Sequence, residues 1–328
     1  MSSEHVPTAG TSATISAAGY QAKVSSVGAT LHSLTFQGTD LVTSWEPNSP
    51  RPAFQGAVLI PWPNRLAGGK YEFDGEVYQA AINEPELNNA LHGLACWLDW
   101  ELSDVAADDA AARPATESDS DGRASMVWRT RIPAQPGYPS TLAVETRYEL
   151  GENGLLWTVT TTNIGTRPAP YGTGIHPYLC APEGIADDWQ LELPATEVIE
   201  ASADHMLPVA AHGVDSWNDG EFDYRNPRLI GSAKVDHAFT GLRAGEDGFA
   251  HARITDGSGR GAELIWDPQA LPWVQVFTAD IGKPPFPDRT GIAVEPMTCP
   301  ANAFNSGTGL LRLEPGENHQ AWWRIAAI

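Results

Sequence analysis

Six side chains in this sequence are suited to proton transfer and hydrogen bonding, and all lie in short segments of small or rigid residues. His176 sits in Tyr171-Gly172-Thr173-Gly174-Ile175-His176-Pro177-Tyr178-Leu179, and His92 in Leu91-His92-Gly93. Asn64 and Arg65 end Pro61-Trp62-Pro63-Asn64-Arg65, Asp236 opens Asp236-His237-Ala238-Phe239, and Glu295 lies in Ala293-Val294-Glu295-Pro296-Met297-Thr298. Imidazole titrates nearest neutrality, a carboxylate accepts protons, and a guanidinium only donates hydrogen bonds. Two histidines and two carboxylates gathered at one mouth could work as general acid and base. Each residue alone also has a plainer reading. A histidine can brace a strand end, Glu295 can close an ion pair, Asp236 can orient His237, and Arg65 can pin its own loop. Trp62, Tyr178 and Phe239 offer flat faces for a ligand, but each adjoins a strand and could equally be core.

The elements that must position these residues read as strands. Val58-Leu59-Ile60 is a buried-strand candidate with an extended, proline-bounded exit, which fixes Asn64 and Arg65 on a loop. Lys70–Phe73 and Glu76–Gln79 flank Asp74-Gly75 as a hairpin. Further strands are expected over 97–102, 126–132, 141–150, 155–162, 189–193, 234–239, 251–255, 262–266, 273–278, 291–295, 310–313 and 319–325. No segment keeps a 3.6-residue apolar period over four turns, and no break in composition marks a linker. The expected fold is all-β: one large domain over 11–328, built as an antiparallel β-sandwich. Residues 1–10 read as a disordered lead and 103–124 as an acidic, low-complexity loop between two strands. Residues 201–226 show no clear period.

Composition narrows the function further. Among 328 residues, 41 Asp and Glu outnumber 20 Lys and Arg, a formal charge of −21 that offers nucleic acid no basic surface. No apolar run is long enough to span a membrane and the first residues do not form a signal peptide, so a soluble protein is expected. Cys96, Cys180 and Cys299 have no metal or disulfide spacing and read as reduced thiols, which favours the cytoplasm. The DGSGRG run lacks the spacing and helix of a nucleotide loop.

The five segments around Arg65, His92, His176, Asp236 and Glu295, taken in this order, resemble the signatures of the aldose 1-epimerase family, the galactose mutarotases. The resemblance runs from about residue 14 to the C-terminus. It implies the mutarotase-like supersandwich and an isomerase of hexose metabolism that interconverts the α and β anomers of a free aldose. It also implies no cofactor and no metal. By resemblance Glu295 is the general base and His176 the general acid. Arg65, His92 and Asp236 bind sugar hydroxyls, with Asn64, Trp62 and Tyr178 as further substrate-binding candidates. The expected partner is a monosaccharide, bound by a monomer or homodimer.

The sequence departs from the family's usual pattern at Trp62, where tyrosine is common, and in Asn83–Ala90, which replaces a glycine-containing approach to His92-Gly93. Four other readings compete. A glycoside hydrolase would flank the scissile bond with two carboxylates, Asp236 and Glu295, though the imidazole content fits it less well. A hexose-6-phosphate 1-epimerase would recruit cations such as Arg225, Arg228, Arg253 or Arg289 to a phosphate. A noncatalytic sugar sensor would not need both His176 and Glu295. A metal-dependent enzyme would use His92, His176 and Glu295 as ligands, without any local His-x-His pair.

Overall fold

In the computed structural model, residues 6–106, 122–282 and 287–328 are described. The first five positions and most of the acidic 103–124 stretch lie outside them. Residues 6–10 are tied down, with the Ala9 N–H donating to Pro47 O at 2.9 Å. The strands Glu101–Ala106 and Ala124–Ile132 reach into the two ends of the expected loop.

Among the described residues, a 12-stranded and a nine-stranded sheet, both antiparallel, account for most of the chain. The reason is visible strand by strand. Leu142–Gly151 and Gly154–Asn163 alternate buried and partly exposed positions, as a strand with one face on a core must. Tyr148, Trp157 and Trp323 project from the nine-stranded sheet into one core with Val24, Leu34, Val274, Val276 and Val294 of the other. Asp74 and Gly75 both take positive φ, so the Lys70–Phe73/Glu76–Gln79 hairpin closes as expected.

The strand that matters most is Ile292–Met297, buried at every position and central in the larger sheet. It pairs with Tyr178–Leu179 on one side and Trp273–Phe277 on the other. Alternation sends Ile292 and Val294 to the inter-sheet core. Ala293, Glu295 and Met297 therefore face the other way. From the opposing sheet Trp323 donates its indole N–H to Pro296 O at 3.1 Å, bracing the strand beside Glu295.

Three local expectations differ from the structure. The 97–102 segment is not one strand: Ala95–Trp97 forms a 3-10 turn, Asp99 makes an isolated bridge to Val27, and the strand itself begins at Glu101. Within 201–226, Pro208–Gly213 pairs with Glu197–Ala201 as a hairpin that sequence alternation did not reveal, because its second strand is at least partly exposed at every position. The strand near 189–193 shortens to Gln190–Glu192.

Candidate active site

On the face of the larger sheet turned away from the core, register gathers polar side chains from three adjacent strands. Gln275 lies directly opposite Glu295, and Ala238 opposite Gln275, which sets Asp236 two positions along on the same face. Gln275 donates from Nε2 to Asp236 Oδ1 at 2.6 Å and accepts at Oε1 from Asn64 Nδ2 at 3.1 Å. Gln275 thus joins the loop residue Asn64 to the sheet. Nothing in its own segment singled it out; only the pairing register shows its place.

His176 occupies the short gap between Gly174–Ile175 and Tyr178–Leu179. Its backbone is fastened on both sides, by His176 N–H to Ala57 O at 3.0 Å and by Gly56 N–H to His176 O at 2.8 Å. Its Nε2 stands 3.4 Å from Glu295 Oε1, with the two residues 5% and 2% exposed. The other ring nitrogen, Nδ1, and the second carboxylate oxygen, Oε2, are buried without a partner. Buried polar atoms are nearly always paired, so these two have hydrogen-bonding capacity left unused by the protein.

His92 reaches the pair from the Leu91-His92-Gly93 turn, its ring edge-on to His176 with centroids 5.1 Å apart. Asn64 N–H donates to His92 Nδ1 at 3.1 Å while His92 N–H donates to Asn64 O at 2.9 Å. This reciprocal clasp makes Nδ1 an acceptor, so a neutral His92 carries its hydrogen on Nε2 and presents a donor there. Asn64 and His92 both sit at positive φ, as does Gly93. At Gly93 a Cβ would stand 2.2 Å from Ile60 O, which is why glycine follows this histidine.

Arg65 extends from the same loop. Its Nε and Nη2 grip the Glu84 carboxylate at 3.0–3.2 Å, and Nη2 stands 3.9 Å from Asp236 Oδ2. Arg65, Asn64, Asp236 and Gln275 line a shallow, open pocket whose apolar wall includes Met206 and Pro208. The chain around 201–208 therefore forms part of the rim.

Electrostatics at the pair run against both charged forms. Burial takes His176 from 6.5 down to about 3, opposed by the residue's own backbone and helped by the Arg51 charge. Burial also pushes the Glu295 carboxyl well above its usual range; the Asp236 charge adds to this and Arg65 opposes it. His92 is held well below 6.5 by burial and by the neighbouring His176, Arg65 and Arg51. The site therefore favours neutral imidazoles and a protonated Glu295. His92, His176 and Glu295 also place one donor atom each within 4.8 Å of one another, the set a divalent metal would use if it entered.

The aromatic residues sort differently from the ligand. Trp62 is buried edge-on to Phe304, its indole N–H bound to Ala90 O, so its ring fills the core. Tyr178 stacks on His176 at 5.2 Å and donates to Ala53 O, so it supports the imidazole from behind. Phe239 is fully buried in the inter-sheet core. Phe54, which no sequence motif marked, lies beside both histidines, 4.6 Å from His92 and 6.3 Å from His176.

The antiparallel supersandwich is shared with known proteins. The aldose 1-epimerase family model matches residues 11–326, and this chain belongs to that family. It is 36% identical over 317 residues to the uncharacterized protein YihR of Escherichia coli (strain K12), covering 96% of this chain and 93% of that protein. Its fold resembles a galactose mutarotase-like protein from Clostridium acetobutylicum (TM-score 0.81, 20% identity, 95% and 94% of the two chains). It also resembles galactose 1-epimerase from Lactobacillus acidophilus NCFM (TM-score 0.75, 20% identity, 94% and 92%).

Proposed function

We propose that this protein is an aldose 1-epimerase that opens and recloses the ring of a free aldose. The observation that carries the reading is the buried His176–Glu295 pair, 3.4 Å apart, with one unpartnered atom on each residue. Anomer exchange takes a proton from the O1 hydroxyl and gives one to the ring oxygen O5, so that the C1–O5 bond breaks and an aldehyde forms. Rotation about C1–C2 and the reverse transfers then close the other anomer.

Ring opening starts from the less favoured form in which the pair's proton lies on His176: Glu295 as the carboxylate takes the O1 proton and His176 as the imidazolium supplies the O5 proton. The pair carries one proton in total throughout. After ring opening that proton rests on Glu295 and His176 is neutral, the distribution that burial favours. The electrostatics of the pair thus favour the protonation state that follows ring opening. His92 supplies an Nε2–H donor, and Arg65, Asn64, Gln275 and Asp236 supply donors and acceptors for the remaining hydroxyls.

A free sugar is favoured over a 6-phosphate because the other candidate cations are engaged elsewhere. Arg225 pairs with Asp223 and Asp215, Arg253 with Glu192 and Glu263, and Arg289 with Asp187 and Asp280. Arg228 donates to the carbonyls of Gly220 and Glu221. We place the protein in the cytoplasm, in keeping with three buried, unpaired cysteines. Polarimetry on freshly dissolved α-glucose, α-galactose and their 6-phosphates tests the reading. Acceleration of a free sugar is expected; acceleration confined to the phosphates, or binding without any acceleration, would overturn it.

A further inference from the structure

Glu84 lies in the Asn83–Ala90 segment, outside the acid/base pair, and its contacts are specific. Its two oxygens take the Nε and Nη2 hydrogens of Arg65 side-on, at 3.0–3.2 Å. This fork fixes the plane of the guanidinium. It leaves Nη1 without a hydrogen bond among the described residues, on a side chain that lines the pocket. Glu84 is itself held. Asn89 Nδ2 donates to Glu84 Oε2 at 2.9 Å and to His205 O at 2.9 Å, while His205 Nδ1 contacts Leu87 O at 2.8 Å. The segment is thereby tied to the turn that carries Met206, another residue of the pocket wall. Both ion-pair partners are mostly shielded, 12% and 16% exposed at the side chain, so the contact is screened less than a surface pair.

We propose that Glu84 is a positioning residue for sugar binding: it aims the free Nη1 edge of Arg65 into the pocket, and Asn89 in turn holds Glu84. The inference rests on the sugar-binding reading of this pocket. A flexible, unanchored arginine would have to be ordered by each incoming sugar, so losing the anchor weakens binding more than it slows the proton transfers.

The test compares wild type with Glu84→Gln and Glu84→Ala on the aldose that polarimetry selects. KM is expected to rise roughly 10-fold or more, the worth of a charge-assisted contact, with kcat changed by less than about threefold. Formate added to Glu84→Ala should restore KM in part, because a small carboxylate can reoccupy the vacated fork. A role confined to stability would lower the melting temperature without separating KM from kcat and without formate rescue. Unchanged KM in folded Glu84→Gln, or equal losses in KM and kcat that formate does not touch, would overturn the proposal. Should the wild type bind sugar without turning it over, the epimerase reading falls alone. Calorimetric titration then decides the Glu84 role, with weaker binding in Glu84→Gln supporting it and equal binding overturning it.

Discussion

Replacing Glu295 by glutamine should cost activity and raise stability at once, and the two effects come from the same burial. The carboxylate is 2% exposed, its Oε2 has no partner, and its proton affinity is raised by burial first and by Asp236 second. Glutamine keeps the shape but cannot accept the O1 proton, so turnover should fall by about 10²–10⁴-fold. Glu295's folded pKa lies above its unfolded value of 4.5. The stability it contributes is complete below 4.5 and is lost as pH rises through the folded value. At pH 8 the neutral amide relieves that cost, a gain of about 1–2 kcal/mol, or roughly 1–2 °C in melting temperature per kcal/mol.

His176 has the opposite sign. Its folded pKa falls from 6.5 to about 3, so its contribution is present above 6.5 and is lost as pH falls from there toward 3. Between about 4.5 and 6.5 the wild-type unfolded chain holds the pair's proton on His176 and the folded chain holds it on Glu295. The proton counts match, so the pair adds little slope in that window. In Glu295→Gln this compensation is gone, and stability should drop steadily as pH falls below 6.5. Thermal unfolding at pH 8 and pH 5 should therefore show the variant above wild type at pH 8, with its advantage shrinking or reversing at pH 5. A variant less stable than wild type at pH 8 would show that burial does not set the protonation of this pair, and normal turnover in the folded variant would show that Glu295 is not the base.

Two other substitutions test the parts that hold the pair. Gly93→Ala places a Cβ 2.2 Å from Ile60 O at positive φ, so it should destabilise by roughly 2–4 kcal/mol, read by urea unfolding, and should misplace His92. Gln275→Leu removes the bridge between Asn64 and Asp236 and leaves both polar groups short of a partner. It should raise KM by about 10-fold in initial-rate polarimetry, and an unchanged KM would show that the bridge does not shape the pocket.

Much of this arrangement is legible in the sequence because strands announce themselves by alternation and turns by chemistry. The Asp74-Gly75 hairpin and the alternating 142–163 pair lie where their patterns place them. The ordered motifs carrying His92, His176 and Glu295 come together at the buried cluster, and those carrying Arg65 and Asp236 meet at the pocket beside it. Register is the part that sequence does not supply. Gln275 looks like any polar strand residue until pairing sets it opposite Glu295. Glu84 belongs to a segment with no period, and Phe54 to an arch where Ala53 and Phe54 both take positive φ, a conformation their residue types do not signal. Trp62 and Tyr178 are ambiguous in sequence for the same reason: adjacency to a motif does not say which side of the sheet a ring takes.

If His176 and Glu295 pass one proton across a sugar's O5 and O1, removing either group must stop anomer exchange without unfolding the protein. Anomeric proton NMR at equilibrium reads this step itself, by magnetisation transfer between the α and β H1 signals with wild type, His176→Asn and Glu295→Gln. Rapid exchange is expected with wild type, and enzyme-driven exchange should be lost in both variants while each still folds. Exchange that persists at the wild-type rate in either folded variant would contradict the shared-proton mechanism.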